Sequence, residues 1–192
     1  MENQLSSDER RFLLDLARRT MTRAVTGQSA GETPDPVIPH SLQKNGASFV
    51  TLTIAGELRG CIGTLEAYQP LHRDVADHAR QAALEDYRFS PVSEVELPLI
   101  EIEISRLTTP MPLPYSNPAD LPGLLHPDID GVILKDGGRR ATFLPQVWAQ
   151  LPNAAMFLSH LCQKMGAPSD LWRRKVMEVA IYHVEEFSEA HS

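Results

Sequence analysis

The chain has 192 residues, 42% hydrophobic and 22% charged, with a formal net charge of -7 and a pI of about 5.5. That length and mix suffice for one generous domain or two small lobes, while the negative balance gives phosphate backbones no field to bind and argues against nucleic acid as the main partner. Two cysteines cannot build a disulfide framework, no apolar run reaches the ~18 to 20 residues that span a bilayer, and the start lacks a signal peptide's basic and apolar regions, so a soluble cytoplasmic protein is expected.

Ser6-Ser7-Asp8-Glu9 fits a capping box, and Phe12, Leu13, Leu16, Ala17, Met21, Ala24 and Val25 recur at helical spacing, which predicts a helix to about Gly27. Between 28 and 40, Pro34, Pro36 and Pro39 predict a wrapping loop. Residues 48–53 and 57–65 read as a hairpin. A three-residue loop Ile54-Ala55-Gly56, with Gly56 at positive φ, sets Thr51 against Arg59 and Leu52 against Leu58. That register sorts Val50, Leu52, Leu58 and Ile62 onto one face and Thr51, Thr53, Glu57, Arg59 and Cys61 onto the other.

The second strand of this hairpin, Leu58-Arg59-Gly60-Cys61-Ile62-Gly63-Thr64, holds the densest chemistry in the sequence. Arg59 and Cys61 lie two residues apart, on the order of 7 Å along a strand and on one face, where a guanidinium can favour a thiolate. Glycine inside a strand marks a bulge or a close approach. Gly60 falls on the apolar face, and Gly63 would leave open space beside the thiol.

The segment from Pro70 to about Arg88 reads as a helix with Leu71, Val75, Ala79, Ala82 and Ala83 on one face. Its small alanines suit close packing over Gly60, which makes Gly60 structural and Gly63 the functional glycine. His72, Asp74, Asp77 and His78 on the same helix lack a further ligand motif and read as a solvated face, with no metal.

Residues 99–107 alternate Ile100, Ile102 and Ile104 with Glu101, Glu103 and Ser105, a half-buried strand with an acidic outer face. A proline-rich connection follows to 127. Asp136-Gly137-Gly138 marks a second hairpin, and 154–164 reads as a helix that places Cys162 in the core. Another short helix is expected at 169–174. One final strand is expected over 178–187, with His183 inside it. There is no G-x-G-x-x-G, Walker loop, C-x-x-C, H-E-x-x-H or G-x-S-x-G, so no cofactor is expected. Hairpins mixed with segregated helices argue an α+β fold.

LRGCIGT, taken with Asp86-Tyr87-Arg88-Phe89-Ser90-Pro91, Glu96-Leu97-Pro98, Gly131-Val132, Ala141-Thr142-Phe143-Leu144-Pro145-Gln146-Val147 and Leu161-Cys162-Gln163-Lys164, resembles the AMMECR domain family, whose prokaryotic branch is called AmmeMemoRadiSam system protein A. The resemblance covers nearly the whole chain. It implies two unequal α/β lobes with mainly antiparallel or mixed sheets flanked by helices and a cleft between them. Carried onto this chain, the smaller lobe would be 28–90 with LRGCIGT, and the larger 1–27 with 91–192. It also implies partnership with a Memo-like protein and a radical S-adenosylmethionine enzyme in a modification pathway.

Two readings of the site stand. In one, Arg59, Gly60, Gly63, Thr64 and Arg88 shape a binding site for a small anion or a peptide, and Cys61 is packing. In the other, Cys61 is a nucleophile or covalent carrier, with Arg59 lowering its pKa and backbone amides near the glycines facing an oxyanion. The second needs a base, for which His40 and His126, in loops, are the candidates. The binding reading is ahead because it needs none, and whether the protein is an enzyme stays open.

Overall fold

A computed structural model describes residues 4–28 and 37–189. Its elements begin with α1 (Ser7–Thr26), β1 (Asn45–Ile54), β2 (Glu57–Gly63), β3 (Gln69–Pro70), α2 (Leu71–Leu84) and β4 (Ile100–Leu107). They continue with β5 (Met111–Pro112), α3 (Leu121–Leu124), β6 (Gly131–Asp136), β7 (Arg139–Phe143), α4 (Ala154–Lys164), α5 (Leu171–Arg174), β8 (Glu178–Tyr182) and β9 (Val184–Ser188). The fold is α+β, and the strand pairings with a described register are all antiparallel. No helix among the described residues is long and apolar enough to cross a membrane.

The chain divides into two compact units, Met1–Thr108 with Glu185–Ser192, and Thr109–Val184. In the first, the sheet runs β2-β1-β4-β9, with β3 also paired to β1. Val50, Leu52, Ile102 and Ile104 on its inner face are fully buried together with Leu13, Ala17 and Met21 of α1 and Val75 and Ala79 of α2. α1 starts where the sequence places it. Ser6 accepts from the Glu9 N–H while Glu9 accepts from the Ser6 N–H, and Gly27 ends the helix at φ 67°.

These pairings correct the expected lobe division. β1 pairs with the whole length of β4, from Ala47 opposite Leu107 to Ile54 opposite Ile100, and α1 shares one core with α2. α1 and β4 therefore close around the hairpin, and LRGCIGT belongs to the larger unit rather than to a small lobe of 28–90. Most of the predicted loop at 28–40 lies outside the described residues. The expected strand over 178–187 is broken at His183, because β8 joins the second unit's sheet and β9 the first's.

In the second unit the sheet runs β5-β8-β6-β7. Gly137, at φ 60°, makes the tight turn between β6 and β7 at the predicted Asp136-Gly137-Gly138. Trp148 and Phe157 stack at 3.7 Å between ring centroids in the core, and Cys162 is fully buried beside Leu158 and Leu161, as expected. Leu151-Pro152-Asn153 ends by capping α4, since the Asn153 side chain accepts from the Ala155 and Met156 N–H groups.

Candidate functional site

β2 is the free edge of its sheet, so alternate backbone N–H and C=O groups point away from β1 and need other partners. At Cys61 the segment leaving α2 supplies both. Asp86 Oδ2 accepts the Cys61 N–H at 2.9 Å, and Arg88 Nη2 donates to the Cys61 carbonyl at 3.1 Å. The two side chains are also joined to each other, Arg88 Nε to Oδ1 at 2.9 Å and Nη2 to Oδ2 at 2.7 Å. Asp86 is only 4% exposed. The Arg88 hydrogen bonds outweigh that burial and hold its carboxyl far below the usual range, and the carboxylate in turn raises the Arg88 pKa.

Next to this clamp the hairpin departs from the expected register. The turn has two residues, Ala55 and Gly56, both at positive φ (51° and 82°), a shape that matches the right-handed twist of the strands. Thr53 pairs with Leu58, whereas Leu52 pairs with Gly60 and Thr51 with Cys61, so Arg59 is an extra residue in a β-bulge. The turn and the bulge each shift the register by one residue. Beyond the bulge the shifts sum to two, which leaves Gly60 and Ile62 on the core face and Cys61 beside Thr51 as the alternation requires. Leu58 is the residue displaced: it lies opposite Thr53 on the outer face and is 42% exposed.

Arg59 is displaced too. Its Nε donates to Glu96 Oε1 at 2.7 Å and its Nη2 to Oε2 at 3.3 Å, and its guanidinium lies 5.9 Å from the centroid of the Phe89 ring. Arg88 approaches the same ring at 5.5 Å. Glu96 also accepts from the Ser93 N–H and hydroxyl, and Arg59 first, then Ser93, hold its pKa down at about 2. The cation that the sequence sets along the thiol is thus committed to a carboxylate.

A family model for AMMECR1 matches residues 14–187. The chain belongs to the AMMECR1 family. It is 37% identical to a protein of Methanothermobacter thermautotrophicus, with 96% of each chain covered, and 34% identical to one of Thermofilum pendens over 97% of this chain and 92% of that one. The crystal structure of the uncharacterized protein PH0010 from Pyrococcus horikoshii is similar at a TM-score of 0.76 and 30% identity, covering 97% of this chain and 94% of that one.

In this AMMECR1 chain the remaining predicted site residues fall as follows. A Cβ on Gly60 would stand 2.2 Å from the Ala82 carbonyl oxygen, so Gly60 lets α2 lie on the strand as expected. Gly63 does not open a gap. A Cβ there would meet the Phe49 ring at 2.3 Å and the Ser48 carbonyl oxygen at 2.5 Å, because Phe49 pairs with Gly63 across the hairpin and covers it. Thr64 donates its N–H to the Ser48 carbonyl, and its hydroxyl accepts the Glu66 N–H, which fixes the end of the strand. Cys61 is half-buried, and the Thr51 hydroxyl donates to its sulfur at 3.4 Å.

No histidine contact among the described residues reaches Cys61. His126 and His183 both hold Asp130, His72 holds the Leu42 carbonyl, and His40 is exposed at the head of a short 3-10 helix. Asp74 and His78, expected on a solvated face, are buried instead: α2 turns them toward β1, where Ser48 donates to Asp74 at 2.6 Å. Sequence reasoning did not single out Asp86 and Glu96 as site residues. The signal that could have found them is the edge itself, since an outer strand carrying two arginines beside it needs carboxylates to finish its hydrogen bonds.

Proposed function

We propose that the β2 edge and the 86–96 segment form a preorganised surface that recognises a peptide segment of a partner protein, within a modification pathway that also involves Memo-like and radical S-adenosylmethionine proteins. The observation that carries this is the internal neutralisation of the site: Arg59 and Arg88 are both paired with carboxylates, so a small free anion has less to gain here than a peptide. Around the pairs stand exposed apolar side chains, Leu58 at 42%, Tyr87 at 94%, Val95 at 79% and Leu99 at 59%, the mixture that a peptide-binding face uses. Two unpaired cysteines suit a cytoplasmic setting.

Calorimetry with the purified chain and purified Memo-like and radical S-adenosylmethionine partners tests the proposal. Tyr87→Ala and Leu58→Ser should each weaken binding about tenfold or more, while Cys61→Ser should bind like the parent. If neither partner binds, the reading is abandoned. The covalent-carrier reading of Cys61 is favoured by one observation, the Thr51 hydroxyl directed at its sulfur. Loss of pathway activity in Cys61→Ser with binding intact would move the assignment there.

A further inference from the structure

The second unit contains a cavity of about 300 Å³ bounded by Pro112, Leu113, Tyr115, Ile133, Met177 and Val179, with Lys135 and Glu178 among its lining residues. Its walls have a local cause. Pro112 and Pro114 flank Leu113, whose N–H donates to the Val179 carbonyl at 2.9 Å, so a short proline-stiffened strand stands along β8 and leaves a trough beside it. The volume is at the lower end of the roughly 300–1,000 Å³ typical of small-ligand sites, which suits a ligand with a single apolar side chain.

The polar groups narrow the chemistry further. Lys135 and Glu178 face each other in the β6–β8 register, and both side chains are exposed. The described contacts include no ion pair for either one. They offer a cation and an anion on adjacent strands at an apolar trough. The Tyr115 hydroxyl accepts the Met177 N–H at 2.8 Å, and burial raises the phenol pKa, so its O–H remains available to donate.

We infer that this trough binds a free α-amino acid with an apolar side chain, the carboxylate on Lys135, the ammonium on Glu178 and the side chain against Pro112, Ile133 and Ala180, which share a sheet face with the two charged residues. Pairing opposite charges to a zwitterion excludes an apolar amine or a simple fatty acid as the preferred occupant, since each would leave one of the two groups facing a like or absent charge.

Titration of the whole chain with L-leucine, followed by calorimetry and by amide chemical shifts of β6 and β8, tests this. Saturable binding is expected, with shifts confined to the trough residues. N-acetyl-leucine and leucinamide should bind several-fold more weakly, and Lys135→Ala and Glu178→Ala should each weaken L-leucine by about threefold to fivefold, the scale of an exposed charge contact. Both positions are exposed, so the variants should melt with the parent. Absence of saturable binding overturns the inference. So does equal affinity for L-leucine and both blocked analogues, or binding that neither variant changes.

Discussion

The carboxylate of Asp86 holds the backbone N–H of Cys61 at 2.9 Å across 25 residues of sequence, so the residue that looks most like a nucleophile is fixed through its main chain by the loop after α2. Arg88 closes the other side at the Cys61 carbonyl. The Asp86-Tyr87-Arg88 segment thereby finishes an unpaired strand edge, which would otherwise be a template for another chain.

Replacing Asp86 by alanine should therefore cost about 1–3 kcal/mol, the range for stranding a buried donor, together with loss of the partner that fixes Arg88. Arg88→Ala should be destabilising as well: water can reach the Cys61 carbonyl in place of the guanidinium, but the buried Asp86 carboxylate loses the cation that offsets its burial. Urea unfolding measures both. Amide exchange at Cys61 should accelerate in Asp86→Ala more than at Thr51; equal protection factors in variant and parent would contradict the clamp.

The same contacts fix the acid limb of stability. Glu96 titrates at about 2 in the folded protein, and Asp86 is also held well below its ordinary value. Against an unfolded carboxylate near ~4, the unfolded chain binds more protons between these values. The stabilisation is fully present above the unfolded pKa and is lost as pH falls from about 4.5 toward about 2. Glu96→Gln should be less stable than the parent at pH 7 and should lose less on going to pH 3. Parallel melting-temperature curves for the two proteins across that window would show that the Arg59 pair is not the cause.

Gly60 and Gly63 both exclude a Cβ, but the neighbours differ in how far they can yield. At Gly60 the obstacle is the Ala82 backbone oxygen inside α2, so Gly60→Ala should force the helix off the strand and cost roughly 1–3 kcal/mol or more. At Gly63 the Phe49 ring can rotate, although the Ser48 carbonyl oxygen cannot. Gly63→Ala should be destabilising by a smaller amount. Equal melting temperatures for Gly63→Ala and the parent would restore it as an open glycine.

Much of the first unit was legible because its signals are local. The capping box at Ser6 and Glu9, the left-handed Gly56 and the alanine face over Gly60 each depend on neighbours within a few residues or on one strand-to-helix step. What escaped depends on pairs far apart in sequence. A bulge at Arg59 is invisible in an alternating pattern, and it alone decides whether the guanidinium lies along the thiol or reaches Glu96. Phe49 over Gly63 and the burial of Asp74 and His78 follow from which face of β1 meets α2. The division of the chain turned on β4 and β9 joining the hairpin's sheet, a pairing that no composition shift announces.

The two cysteines should separate cleanly by alkylation of the folded protein. Cys162 is fully buried among Phe157, Leu158 and Leu161, and that burial pushes its thiol pKa up, so both access and thiolate fraction work against reaction. Cys61 is half-buried on the outer face of an edge strand, with only the Thr51 hydroxyl in described contact with its sulfur. Iodoacetamide at neutral pH should label Cys61 first and Cys162 only as the second unit unfolds. Because the Thr51 hydroxyl donates to the Cys61 sulfur, Thr51→Val should change the labelling rate at Cys61 without exposing Cys162. Mass spectrometry of timed aliquots decides it: if Cys162 is modified in step with Cys61 below the unfolding transition, the second unit's core is not closed around it, and if Thr51→Val labels at the parent rate, the hydroxyl contact has no bearing on the thiol's chemistry.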